Sequence, residues 1–242
     1  MEIWLPLLLF LAALLYSSVG HGGASAYLAI MALIGMAPEE MRITALVLNL
    51  FVSAIGVWRF SRVGAFNLRL FAIFALASIP MAYIGGRIPM SPDYYRPLVG
   101  LVLIASAVLL LWRVQQIANR ELHTPQLGLA VPAGGGLGLL AGLTGTGGGI
   151  FLSPLILLAG WEEARKTAGI AAAFIFVNSA AGLLGQYHGL AKLPDNIGWL
   201  ITAVAIGGFI GSSLSASRLP RTALLRLLAI VLVIAGGKLL VG

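Results

Sequence analysis

Gly142-Leu143-Thr144-Gly145-Thr146-Gly147-Gly148-Gly149 lies inside an apolar run from Gln126 to Gly160, and Ser17-Ser18-Val19-Gly20-His21-Gly22-Gly23-Ala24-Ser25 lies inside another from Ile3 to Met36. As a single helix at ~1.5 Å per residue, either run would be about 50 Å long, against a bilayer core of about 30 Å. Clustered glycine disfavours helix and admits positive φ. Each run therefore reads as two half-helices joined by a glycine loop at membrane depth.

Outward from these breaks, six blocks have the length of a single crossing, ~20 residues. They are Ile43 to Trp58, Leu70 to Gly86, Leu98 to Trp112, Thr167 to Tyr187, Ile197 to Ser215 and Ala223 to Val241. The breaks also mark an internal repeat. Gly20, Gly22 and Gly23 align with Gly145, Gly147 and Gly148, and Glu39-Glu40-Met41-Arg42-Ile43-Thr44 matches Glu162-Glu163-Ala164-Arg165-Lys166-Thr167. Arg87-Ile88-Pro89 with Arg96 is echoed more weakly by Arg218-Leu219-Pro220 with Arg226. The chain divides into a first membrane repeat, 1–112, a polar linker, 113–125, expected on the cytoplasmic side, and a second membrane repeat, 126–242.

Charge decides how the halves relate. If each long run crosses once, the 15 Lys and Arg split seven against eight across the membrane and predict no orientation. If each run enters and returns, ten basic residues, among them Arg59, Arg62, Arg69, Arg165 and Lys166, share one side, leaving Arg42, Arg87, Arg96, Lys192 and Lys238 on the other. The positive-inside rule favours the second arrangement. The expected fold is an all-α polytopic membrane protein of two inverted-topology repeats, each a broken helix hairpin plus three transmembrane helices, with both termini outside.

Composition closes off other classes. Sixty per cent of the 242 residues are hydrophobic and 10% charged, too apolar for one water-soluble core. The net charge of +7 is spread over short loops, which argues against nucleic-acid binding. Without cysteine there is no disulfide, thiol chemistry or Cys-ligated metal. Glu2 stands where a signal peptide carries Lys or Arg, so the first apolar run reads as a membrane segment of the mature protein. All eight acids fall at predicted ends or loops, leaving no buried carboxylate as an obvious proton relay or cation ligand. Gly145-Thr146-Gly147-Gly148-Gly149 lacks the Lys-Ser/Thr ending of a phosphate loop, and no cofactor or metal site is expected.

A broken helix can hold an anion without burying a cation, because the second half begins with free N–H groups and the positive end of its dipole. The candidate substrate-binding residues are Gly20, His21, Gly22, Gly23 and Ser25 in the first half, and Thr144, Gly145, Thr146, Gly147, Gly148 and Gly149 in the second. Asn49 and Asn178, polar residues in apolar helices, complete the set, while Ser17, Ser18 and Ser153 add hydroxyls. His21 reads equally as an anion donor, a proton carrier, or a neutral imidazole satisfied by a carbonyl. The Glu-Glu-x-Arg segments read chiefly as helix starts ion-paired at the membrane surface, with gating as the other reading. Gly134, Gly138 and Gly142, four residues apart, look like a helix-packing face.

Gly20-His21-Gly22-Gly23, and Gly145-Thr146-Gly147-Gly148-Gly149 with Pro154, each leading to an Arg-Ile-Thr or Arg-Lys-Thr helix start, resemble the duplicated motif of the TauE/SafE family. These are the sulfite and sulfonate exporters, also called TSUP transporters. The second half carries the fuller motif, Ala24 and Ala29 replacing the third glycine and the proline in the first. The resemblance implies a secondary transporter in the cell inner membrane, exporting a small sulfur-containing anion such as sulfite, sulfoacetate or another sulfonate. Its partners would be that anion and the bilayer, with protons as candidate coupling ion and a homodimer as candidate assembly. Alternating access would rock one repeat against the other around the paired loops. A passive anion channel is the alternative, with an intramembrane enzyme using His21 as base, or a membrane scaffold, behind it.

Overall fold

The computed structural model describes residues 4–18, 22–113, 122–214 and 221–241, so Gly20, His21, most of the linker and Arg218-Leu219-Pro220 lie outside the described residues. The first run forms α1 (Trp4–Ser18) and α2 (Ala24–Leu33), and the second forms α6 (Leu127–Thr144) and α7 (Gly149–Leu158). The six single-crossing blocks fall in α3 (Pro38–Arg62), α4 (Leu68–Arg87), α5 (Pro92–Arg113), α8 (Ala164–Gly185), α9 (Ile197–Leu214) and α10 (Arg221–Val241). The Thr167 to Tyr187 block overran its helix, which stops at Gly185 before a 3₁₀ turn at Tyr187–Lys192. The protein is thus an all-helical polytopic membrane protein, and α3, α4, α6 and α8 are each long and apolar enough to cross a bilayer. At ~1.5 Å per residue the 10 residues of α2 and of α7 cover about 15 Å, half of a crossing, but the 18 residues of α6 cover about 27 Å, so the second run is a long arm and a short one and not two half-helices.

Glycine sets the packing. Gly134, Gly138 and Gly142 of α6 lie on the carbonyls of Phe74, Ser78 and Ala82 of α4, a constant offset that makes the two helices parallel. Gly207 and Gly211 of α9 lie likewise on the carbonyls of Phe10 and Leu14, so α1 runs parallel to α9. In each case a Cβ would strike backbone, so only glycine permits the approach. The first arm of each broken run therefore packs on the fourth helix of the other half. The pattern is crossed and reciprocal between the halves.

The ends of the second run meet. The His123 N–H donates to Gly160 O at 2.7 Å, and Asn67 Nδ2, at the start of α4, donates to Glu162 Oε2 at 2.6 Å. The start of α6 and the end of α7 thus share one face with the start of α4, so the run goes in and comes back. At the opposite face Lys238 Nζ donates to Ala32 O at 3.0 Å and Leu33 O at 2.9 Å, and Lys192 pairs with Glu39. That face holds the end of α2, the starts of α3 and α9, and the end of α10. Between the faces α3 packs against α8 at the centre, α8 buried over more than half of its length and α3 chiefly from Pro38 to Ser53.

Candidate functional site

At the second break Gly145, Gly147 and Gly148 have φ of 84°, 70° and 76°, a succession of left-handed residues that only glycine adopts cheaply. Gly145 closes α6 with its N–H on Ala141 O at 2.9 Å, and Gly148 caps the start of α7. The Thr144 hydroxyl donates to Leu140 O at 2.7 Å and lies 2.9 Å from the Thr146 hydroxyl. Tyr95 of α5 donates to Thr144 O at 2.9 Å, pinning the loop from outside. At the first break Gly23 (φ 91°) caps α2, and Ser25 Oγ donates to the Tyr16 hydroxyl at 2.9 Å, tying the two arms together.

The breaks converge on two side chains. A Cβ on Gly22 would stand 3.0 Å from Ile175 Cδ1 and 3.4 Å from Asn49 Oδ1. One on Gly147 would stand 2.8 Å from Ile175 Cγ2, 3.0 Å from Asn49 Nδ2 and 3.3 Å from Ser179 Oγ, and Gly149 also abuts Ile175. The Asn49 amide therefore sits between the loops, fully buried, with Nδ2 3.5 Å from Gly145 O and Oδ1 without a hydrogen-bond partner. Ser179 Oγ is likewise unpartnered. The first N–H groups of a helix have no intrahelical acceptor, and the dipole is positive there. The starts of α2 and α7 thus bring two sets of such donors to the edges of one polar amide.

A narrow cleft of about 10 Å³ runs along one face of α3, lined by Ser17, Gly22, Ser53, Gly56, Phe60 and Ser212. Near its mouth Arg59 bridges α3 to α9, donating to Phe209 O at 3.0 Å and to the hydroxyls of Ser212 and Ser213. Toward the opposite face stands a buried cation. Arg42 is 6% exposed, and its guanidinium donates to Gly142 O, Gly85 O, Gly86 O and Ile88 O. The last three are carbonyls at the C-terminal end of α4, the electronegative end of its dipole. Beyond Arg42 a second pocket, about 240 Å³, opens to that face.

Of the sequence candidates, the structure brings together Gly22, Asn49, Gly147 and Gly149, with Gly23, Thr144, Gly145, Thr146 and Gly148 in the same two loops. Gly20 and His21 fall outside the described residues. Asn178 spends Nδ2 on Phe174 O at 2.8 Å within its own helix, and among the described residues it hydrogen-bonds to neither loop. Ser153 is buried and unpartnered in α7. Two expectations need correcting. Arg42 makes no surface ion pair, because the end of α4 supplies it with buried carbonyls, whereas Arg165 in the matching position is exposed. Glu162 does lie at a helix start, yet it is 6% exposed, because the start of α4 covers it and Asn67 binds its carboxylate. Sequence reasoning missed Ile175 and Ser179, which look like ordinary helix interior. It also missed Tyr16 and Tyr95, whose hydroxyls in apolar helices were the available signal.

A family model described as "Sulfite exporter TauE/SafE" matches residues 5–239. The chain is 38% identical over 248 residues to "Probable membrane transporter protein y4hK" of Sinorhizobium fredii (strain NBRC 101917 / NGR234), the match covering 98% of each chain. No solved structure matches it.

Proposed function

The chain belongs to the TauE/SafE sulfite exporter family and is a membrane transporter, and from that premise we propose that it carries a small sulfur-containing anion, sulfite or a sulfonate such as sulfoacetate, by alternating access. The anion binds where Gly22, Asn49 and Gly147 meet, held by the N–H groups that open α2 and α7 and by the Asn49 amide. The observation that carries this reading is the convergence of both glycine breaks on the buried Asn49 side chain, beside the unpartnered Ser179 hydroxyl.

The face bearing Arg59, Asn67 and Glu162 is cytoplasmic by the charge count, and the termini are outside, in the cell inner membrane. The cleft at Ser53 then faces inward and must widen for an anion to load, with Arg42 standing on the outward side. Glycine-on-carbonyl contacts join α1 to α9 and α6 to α4. The bodies that move are therefore these crossed pairs, not the two sequence halves, with the α3–α8 contact as the axis between them.

The test is calorimetric binding of sulfite, sulfoacetate, sulfate and chloride to the purified protein beside Asn49→Leu and Thr146→Leu. A sulfur oxyanion that binds wild type and loses at least about tenfold in affinity in Asn49→Leu supports the site. Binding unchanged in both variants overturns it.

A further inference from the structure

The large pocket on the outer face has a floor and walls that ask for negative charge. Its floor is the Arg42 guanidinium, buried and satisfied only by backbone carbonyls. Among the described residues the ion pairs are Lys192 with Glu39 and Lys166 with Glu162 and Glu163, and none reaches Arg42. The wall holds Arg87, exposed, and Gln186, whose Nε2 is buried with no hydrogen-bond partner. The one acid lining the pocket, Glu39, is already matched by Lys192, and His188 stands at the rim.

We infer that this vestibule is a second binding site for a small oxyanion, separate from the paired glycine loops. A buried amide donor without an acceptor costs free energy that an anionic oxygen would recover. A guanidinium lacking a carboxylate partner offers the countercharge in a planar fork suited to two oxygens of a sulfonate or sulfate. Arg87 reaches the same space from the end of α4. The inference rests on the anion reading of the transporter and adds a station on its outer side. There the anion pairs with Arg42 and Gln186 as Arg42 releases the carbonyls of Gly142 and Gly85, and leaves past Arg87.

Because the chain has no cysteine, a single Ile88→Cys on the vestibule wall can carry an environment-sensitive fluorophore. Sulfate and sulfoacetate are titrated at constant ionic strength into the purified full chain, in Gln186→Leu, Arg87→Gln, Arg42→Gln and Gly147→Val backgrounds. A saturable signal is expected in wild type and in Gly147→Val. It should weaken about tenfold in Gln186→Leu and Arg42→Gln and about threefold in Arg87→Gln. Arg87 is exposed and Gln186 makes no side-chain bond through Nε2, so those variants keep the test decisive if Arg42→Gln fails to fold. No saturable signal in wild type overturns the vestibule site, as does a signal that Gly147→Val abolishes while Gln186→Leu and Arg87→Gln leave it unchanged. Calorimetric binding lost in Asn49→Leu in the same preparations would then leave the loop site standing alone.

Discussion

Arg42 donates to the carbonyl of Gly142 from two nitrogens, Nε at 3.0 Å and Nη2 at 2.6 Å. Gly142 is also where α6 closes on Ala82 of α4. One backbone position thus joins α3, α4 and α6, and its missing side chain is what lets them meet.

Gly142→Ala should therefore lower the melting temperature in detergent, its methyl striking Ala82 O and the backbone of Gly86, at a cost of about 1–3 kcal/mol. Gly136→Ala, on the same helix with nothing within 4 Å, is the control and should be neutral or stabilising by up to about 1 kcal/mol. Equal melting of the two variants would mean that the α4–α6 contact does not limit stability.

Ile175 fills the space that the two loops leave between them. Gly22→Ala should fold, since its Cβ meets side-chain atoms of Ile175 and Asn49 and no backbone, yet reduce liposome flux by about tenfold by crowding the site. Adding Ile175→Ala should restore flux toward wild type. A double variant no better than Gly22→Ala would place the crowding elsewhere.

The two buried asparagines should separate in function. Asn49→Leu removes the amide between the loops and is expected to weaken anion binding by at least about tenfold while the protein stays folded. Asn178→Leu removes a bond within α8 and should change affinity less than about threefold. Titration calorimetry on both distinguishes them, and equal losses would count against Asn49 as a ligand.

Topology can be read with impermeant thiol reagents on single cysteines. Thr124→Cys and Ala164→Cys flank the second broken run, whose ends meet through His123 and Gly160. Both should label from the cytoplasm, and Ile88→Cys from outside. Labelling of Thr124→Cys and Ala164→Cys from opposite sides would sink the re-entrant arrangement.

Helices and breaks were legible because length and glycine clustering are local properties: a 35-residue apolar run (126–160) that outspans a bilayer and carries Gly145 to Gly149 has few alternatives. Partner choice was not. Glu39-Glu40-Met41-Arg42 and Glu162-Glu163-Ala164-Arg165 read alike, yet the end of α4 buries Arg42 and no such end covers Arg165. Asn49 and Asn178 looked equivalent, but aligning Thr44 with Thr167 puts Ala172 opposite Asn49, and among the described residues Asn178 bonds within α8 while Asn49 meets Gly145. Ile175 carried no signal, because an isoleucine in an apolar helix is unremarkable until two glycine loops are seen to close on it.

The parallel seating of α1 on α9 has a consequence for biogenesis. α1 leaves the ribosome first, but the glycines that receive its Phe10 and Leu14 carbonyls are made nearly two hundred residues later. The nascent chain must therefore hold α1 in a provisional place until α9 is inserted. Cutting the chain in the linker should yield two fragments that are each incomplete and that recover transport only when both are synthesised into the same membrane.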